Sequence, residues 1–492
     1  MYKAAETFIT NILTPAVLIL LVICSLAVYL YVRPQRAIKP IIKGKRKVNA
    51  ASSSVSAMLT ALAGTLGVGN ISGVALAIAH GGAGAVFWMW VSSILAMAVK
   101  YAEILLASHY RIVSNDGFHG GAPIYIERAF KKKGRLFKRI FSALCIFAAF
   151  TVGSGVQSSA AAEISTEAFG IPPAVFGLVL SLFCAVVCVG KTKKISKITD
   201  SLVPFMSAVY IILSLVVFVA EYKELTKIFS HIFHSAFNFT AAEGGIIGYS
   251  IKSAVRYGVS RGLISNEAGC GTAPFAHSKA DKNPAEQGIF GMVEVFIDTV
   301  LLCTVTAVTV LAAYGSNVPQ DIGGMLIVSE AFEKYLGYAA PKLLCFSVVL
   351  FAFGSIICWY FYGTECILLG ENKKLSKTAF TVFFIFSVLL GSIIKGKTVW
   401  LLSDICFNMM LALNVCAILK ELKTAKRSVD SYVSSFENSK SVNACKAFPS
   451  APRGSASAIP DSDDETPRTE ISQAKSVRRT LQRTSPPTRP IP

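Results

Sequence analysis

GTLGVGNISGVALAIAHGGAG, from Gly64 to Gly84, is the stretch on which the reading of this chain turns. It lies inside an apolar segment long enough to cross a bilayer, yet Gly64, Gly67, Gly69 and Gly73 interrupt it and Asn70 stands among them. A glycine costs about 1 kcal/mol against alanine in a helix interior, so this spacing predicts a broken helix. At membrane depth, broken backbone is tolerated only where it is buried in protein or lines a polar cavity. One reading is therefore a binding site built on an unwound turn. The other is close helix packing through small residues, with Asn70 bonded to a neighbouring helix.

The rest of the composition agrees with a membrane setting. The 492 residues are 53% hydrophobic and 16% charged, against about 25% charged in soluble domains, and the mean hydropathy is +0.55. No cleavable signal fits the N-terminus, because the apolar run continues to Tyr31 and is long enough to span. The net charge of +19 comes from Lys and Arg in loops and in the tail, so it reads as topology rather than nucleic-acid binding. The 12 cysteines lack paired metal spacing and mostly stand singly in apolar segments, as buried packing thiols do.

Apolar runs recur near 11–32, 51–80, 84–109, 138–168, 172–190, 199–220, 241–275, 286–314, 342–369, 378–394 and 398–419. At ~20 residues a span, this predicts an all-α polytopic protein of about eleven transmembrane helices. Basic loops at 33–47, 111–139, 191–197 and 373–377 fall on one side of that arrangement, with Lys395 and Lys397 as exceptions. The positive-inside rule puts them in the cytoplasm, the N-terminus outside and the C-terminus inside. Residues 1–50 then form an extra helix and a basic loop. Residues 51–220 and 221–420 form two halves of similar length and opposite orientation, each opening on a glycine-interrupted segment, as in inverted-repeat transporters. Residues 421–492, rich in Ser, Pro, Lys and Arg, read as a disordered tail.

Several polar residues inside these spans are candidates for function. Gly153, Ser154, Gln157, Ser158 and Ala161 share a helix face; Gln157 either lines a cavity or bridges helices. Gly354, Ser355, Cys358, Trp359 and Tyr362 share another, where Ser355 can offer an oxygen to a hard cation and Trp359 can cover a small solute or simply pack. Lys100 and Glu103 are three apart in KYAE, a spacing that predicts a mutual pair. In the second glycine-interrupted segment, with Gly244, Gly245, Gly248 and Arg261, Lys252 or Arg256 is either a contact for an anion or a structural lock, and Arg261 reads as a gate or structural residue. Asn266 and Glu267, in SNEAGCGTAPFAH, read as a gate at the cytoplasmic mouth. Asp298, an isolated acid in an apolar span, is either functional or a helix-bonding group. No phosphate loop, HExxH motif or nucleophile elbow is present, so an enzyme is disfavoured.

LGVGNISGVALAIAHGGAGAVFWMW, KYAE, RGLISNEAGCGTAPFAHS, EQGIFGMVEVFIDT and FAFGSIICWYFYGTE together resemble the signature blocks of the alanine-or-glycine:cation symporters, from about Ser52 to Leu419. The resemblance implies a five-plus-five inverted-repeat, leucine-transporter-like core preceded by one extra helix, in a bacterial or archaeal plasma membrane. It implies symport of a small neutral amino acid, alanine or glycine, with Na⁺ or less often H⁺, and no other cofactor. Carried over by position, substrate contacts fall on Gly67, Gly69, Asn70, Gly73, Gln157 and Trp359, and Na⁺ contacts on Gly69 and Ser355. Val68 stands where many members have threonine, Gly354 where many have a second hydroxyl residue, and Ser159 where many have asparagine. These departures bear on the coupling ion and the preferred amino acid. A related symporter for another solute, or a transport-inactive sensor or scaffold, is the alternative.

Overall fold

The computed structural model describes residues 9–43, 48–114, 117–189, 192–237, 251–369, 373–394 and 396–447. Gly244, Gly245, Gly248, Lys395 and most of the basic tail lie outside these. Compactness divides the chain into Met1–Ser439 and Lys440–Pro492, and everything below concerns the first unit.

Numbered in chain order, the principal helices begin with α1 (Thr14–Val32), α2 (Val48–Thr65), α3 (Ser72–Gly81), α4 (Gly84–His109) and α5 (Lys131–Phe169). They continue with α6 (Pro173–Cys188), α7 (Thr192–Ala220), α8 (Ile251–Asn266), α9 (Ala273–His277) and α10 (Pro284–Tyr314). The last are α11 (Ala340–Leu368), α12 (Lys373–Ile393), α13 (Gly396–Lys420) and α14 (Leu422–Ala447). The departure from an all-helical chain is a short antiparallel ribbon, Ile112–Ser114 with Gly117–His119, in which Val113 faces Phe118.

Among the described residues, eight helices are long and apolar enough to cross a membrane, and α2 with α3 makes a ninth, bent by 65°. Two of the eleven expected spans fall short of that measure for different reasons. α6 is apolar but only 16 residues long. α8 carries Lys252, Arg256 and Arg261 and is not apolar at all. It is accommodated because it packs along α4, where Gly258 meets the Ala85 carbonyl so closely that a Cβ would collide with it. That is helix association through small residues. On α6, α7 and α12, by contrast, large apolar side chains such as Val186, Ile212 and Phe383 face outward, as a lipid-facing surface requires.

The break in α2–α3 falls where the glycines predict. Leu66 still donates to the Leu62 carbonyl at 2.7 Å, the Gly67 N–H turns to the Thr65 carbonyl at 2.9 Å, a single 3₁₀ turn covers Val68–Asn70, and α3 resumes at Ser72. A second break lies between α8 and α9, at 267–272, with Glu267, Gly269 and Gly271 at positive φ, while the one expected around Gly244 lies outside the described residues. α5 and α10 each contain a π-helical stretch, Ala149–Val156 and Phe296–Cys303. Such widened turns expose carbonyls and recur at functional sites.

The disordered tail expected from residue 421 is replaced over its first part by α14. Ala425, Val429 and Val433 are buried at four-residue spacing, a stripe too narrow to stand out in a Lys- and Ser-rich stretch. Arg36 bonds Asp430 at 2.5 Å from the loop after α1. The described cysteines are free, and all but Cys416 are buried.

Candidate functional site

The unwound turn is held from two sides. Gln157, the first residue after the π-helical stretch of α5, accepts from the Val68 N–H at 3.0 Å through Oε1. Ser355 on α11 approaches the carbonyls of Ala63 and Leu66, at 3.1 and 3.3 Å, with its hydroxyl. Between them Gly67 has no room for a side chain: a Cβ there would lie 2.7 Å from both Gln157 Oε1 and Ser355 Oγ. Breaking the helix frees amides and carbonyls that a regular helix would pair internally, and these two side chains cover part of that set.

A small cavity of about 30 Å³ opens beside the turn, room for about two waters. Gly64, Thr65, Gly67 and Gly69 form its floor, and Val152, Val156 and Gln157 of α5 one wall. Ile264, Ser265 and Glu267 at the second break, with Trp400, Ser403, Asp404 and Phe407 of α13, complete it. Gly67, Gly69 and Gln157, all read as substrate contacts, thus line one cavity, and Glu267, read as part of a cytoplasmic gate, stands in its wall.

The other candidates lie behind this lining. Asn70 is buried with its side chain fully engaged: Oδ1 accepts from the Gly67 N–H at 3.3 Å, and Nδ2 donates to Asp298 Oδ1 at 2.8 Å. Asp298 also accepts from Ser265 and Thr299, both at 2.8 Å. Trp359 does not face the cavity. Its Nε1 donates to Glu267 Oε1 at 3.1 Å, while Thr272 donates to the other oxygen at 2.6 Å. Gly73 sits in α3 with open space where a Cβ would stand. Arg261 places its guanidinium 4.9 Å from the centre of the Trp400 ring.

Lys100 and Glu103 do not pair with each other. Lys100 forms a buried ion pair with Glu294 at 3.0 Å and donates to the Asn266 carbonyl at 2.9 Å. Glu103 accepts from the Gly271 N–H at 3.1 Å and from Asn414 at 2.9 Å. The i, i+3 spacing puts both on one face of α4, and that face grips the two ends of the second break. His277, bonded to Glu294 at 3.0 Å and to Gln287 at 2.8 Å, completes the clamp.

Asp404 and its neighbours went unread in the sequence. Trp400, Ser403, Asp404 and Phe407 stand at i, i+3, i+4 and i+7, one helix face. An acid inside an apolar span is the same signal that marked Asp298.

The sodium:alanine symporter family model matches residues 2–446. The chain belongs to that family. It is a symporter rather than an enzyme, and a multi-pass membrane protein. The symporter is 35% identical over 375 residues to the sodium/alanine symporter AgcS of Methanococcus maripaludis, covering 75% of this chain and 81% of that one. It is also 35% identical over 374 residues to an uncharacterized transporter of Haemophilus influenzae, with coverage of 75% and 80%. Among solved structures it resembles a Na⁺-coupled sialic acid symporter in a substrate-bound outward-open state. The TM-score is 0.51 at 13% identity, covering 77% of this chain and 82% of that one. At that identity the likeness speaks for the fold, which is the broken-helix symporter architecture, and the family supplies cation-coupled amino-acid symport.

Proposed function

We propose that this chain carries a small neutral amino acid, alanine or glycine, into the cell together with Na⁺ by alternating access. The observation that carries the reading is the Gln157–Val68 hydrogen bond over an unwound turn in a tight cavity. A side-chain amide oxygen there occupies the position that a substrate carboxylate oxygen would take on the same amide. The N-terminal end of α3, with its positive dipole, follows the turn and favours an anion. Gly67 and Gly69 leave the backbone bare enough for the approach, and the cavity, with room for about two waters, must widen to take even the smallest amino acid.

Ser355 supports a Na⁺ site between α2 and α11. Its hydroxyl and the Ala63 and Leu66 carbonyls are hard oxygen ligands gathered in one place, and unwound carbonyls of this kind serve cations in transporters. Ion binding there would stiffen the turn that receives the substrate, and the difference in affinity couples the two. Asn70, Asp298, Trp359 and Arg261 then act as supports of the turn and of the cavity wall. Residues 51–220 and 221–420 serve as the two repeats, a division supported by one break in each. The basic loops support an N-terminus outside, a C-terminus in the cytoplasm and a plasma-membrane location.

A proton as coupling ion is the second reading, favoured by the carboxylates of Glu267 and Asp404 in the cavity wall. Proteoliposomes loaded under a Na⁺ or a H⁺ gradient and given labelled alanine or glycine decide between them. Uptake that follows Na⁺ supports the first. Uptake that ignores Na⁺ and collapses with a proton ionophore supports the second. No gradient-driven uptake by folded protein overturns both.

A further inference from the structure

A second group of oxygens lies about two to three helical turns before the break, between α2 and α7. Ser56 and Thr60 stand at i and i+4 on α2, and Ser196, Thr199 and Asp200 at i, i+3 and i+4 on α7. Both spacings put their side chains on a single helix face, and the two faces meet. Ser56 Oγ is 2.9 Å from Asp200 Oδ2 and 3.0 Å from Ser196 Oγ. Thr60 Oγ1 is 3.3 Å from Ser196 Oγ and 3.1 Å from Thr199 Oγ1. Ser56, Thr60, Ser196 and Asp200 also line a cavity of about 520 Å³ that includes Lys197 and Lys279 in its wall.

Hydrogen bonding within the group leaves acceptors over. Thr199 spends its proton on the Ser196 carbonyl at 2.9 Å, and Thr60 is 2.9 Å from the Ser56 carbonyl. Each hydroxyl has one proton but two lone pairs, so the oxygens face one another mainly as acceptors. Asp200 is the least satisfied. Ser56 serves Oδ2, while Oδ1 is buried with no hydrogen-bond partner. Among the described residues no basic side chain forms an ion pair with it: Lys279 is committed to Glu365 at 3.0 Å, and Lys197 is exposed. A carboxylate half bare at the edge of a membrane span is costly, and what it lacks is a positive charge.

We propose that Ser56, Thr60, Ser196, Thr199 and Asp200 form a second cation site, for a hard monovalent ion the size of Na⁺, distinct from the Ser355 site. Hard cations take oxygen ligands at about 2.3–2.6 Å, and oxygens now 2.9–3.3 Å apart reach such a shell with small rotamer changes. A single carboxylate matches a single charge. Dedicated divalent sites draw on several carboxylates or carbonyls, and among the described residues no group of three or more Asp, Glu, His or Cys side chains is arranged to hold a metal ion. Because the ligands come from α2 and α7, an ion bound there ties the first half of the broken helix to the neighbouring span. The site is independent of which amino acid the symporter carries, or whether it carries one.

Direct ²²Na⁺ binding to the purified full chain, without amino acid and with K⁺ as the balancing ion, tests this. Wild type is expected to bind two equivalents. Asp200→Asn and the double variant S56A/T60A are each expected to lose one equivalent, and Ser355→Ala to lose the other. Ser196→Ala, which removes one ligand and no charge, is expected to weaken one equivalent by at least about tenfold. Thermal melting and monodisperse elution check that each variant is folded. If Asp200→Asn and Ser196→Ala titrate with Na⁺ as wild type does, even at a lower melting temperature, the cluster is a hydrogen-bonded latch and the site is rejected. Loss of the Ser355 equivalent alone, with the Asp200 one intact, leaves this site standing and bears only on the proposed transport mechanism.

Discussion

Asn70 Nδ2 lies 2.8 Å from Asp298 Oδ1, so the break in the first half of the chain is pinned to the π-helical stretch of α10 in the second. Removing the amide leaves a buried carboxylate oxygen without its donor. Asn70→Ala is expected to lower stability by about 1–3 kcal/mol, measured by melting in detergent, and to depress uptake with it. Asn70→Asp sets two carboxylates face to face and is expected to be worse. Combining it with Asp298→Asn exchanges the partners and should recover a melting temperature closer to wild type. A double variant no better than Asn70→Asp would show that the pairing does not matter.

Gln157 separates binding from scaffolding. Gln157→Glu keeps the size of the side chain but brings a negative charge to the amide that the substrate carboxylate needs. Uptake is expected to fall at least tenfold, about 1.4 kcal/mol, while Na⁺ binding without amino acid stays as in wild type. Gln157→Ala leaves the unwound turn without its hold from α5 and is expected to raise KM more than it lowers the maximal rate. Uptake unchanged in both variants would remove Gln157 from the site.

Two glycines of the same stretch should behave in opposite ways. Gly67→Ala forces a methyl group against Gln157 Oε1 and Ser355 Oγ, each 2.7 Å from where it must stand, and is expected to abolish uptake. Gly73→Ala meets nothing within 4 Å and gains up to about 1 kcal/mol of helix propensity. It is expected to leave uptake intact and to melt no lower than wild type. Side-by-side transport and melting of the two variants checks this.

Lys100→Met breaks the buried pair with Glu294 and is expected to cost about 3–5 kcal/mol, seen as poor yield and early melting. Adding Glu294→Gln removes the stranded charge and should restore much of the loss. Glu103→Gln, which retains an acceptor for the Gly271 N–H, is expected to be milder than Glu103→Ala. Equal behaviour of the two Glu103 variants would rule out the grip on Gly271.

Legibility in the sequence followed how local each signal was. The first break was readable because glycine spacing acts on the backbone where it stands, and Gln157 because its small-residue face is a local period. Lys100 and Glu103 were visible as residues but not in their partners. The i, i+3 rule describes an isolated helix surface, and here both side chains are buried and spent on a loop about 170 positions away. Trp359 was recognised on the right helix and given the wrong neighbour, because helical period does not say which group waits across the interface. Asp404 was missed although the rule that found Asp298 applies equally to it. The stretch 422–447 was misread because three small apolar residues at four-residue spacing carry little weight against a basic, Ser-rich background.

The clamp of Lys100 and Glu103 on the second break has a mechanical meaning. Any swing of loop 267–272 away from α4 must part the Lys100–Asn266 and Glu103–Gly271 contacts together, both buried without water to replace them. α4 and that loop are therefore one rigid passenger of the transport cycle. On the proposed cycle the pivot would fall to the 65° elbow at Gly67, fastened by the Gln157 and Ser355 hydrogen bonds and by the Asn70–Asp298 pin.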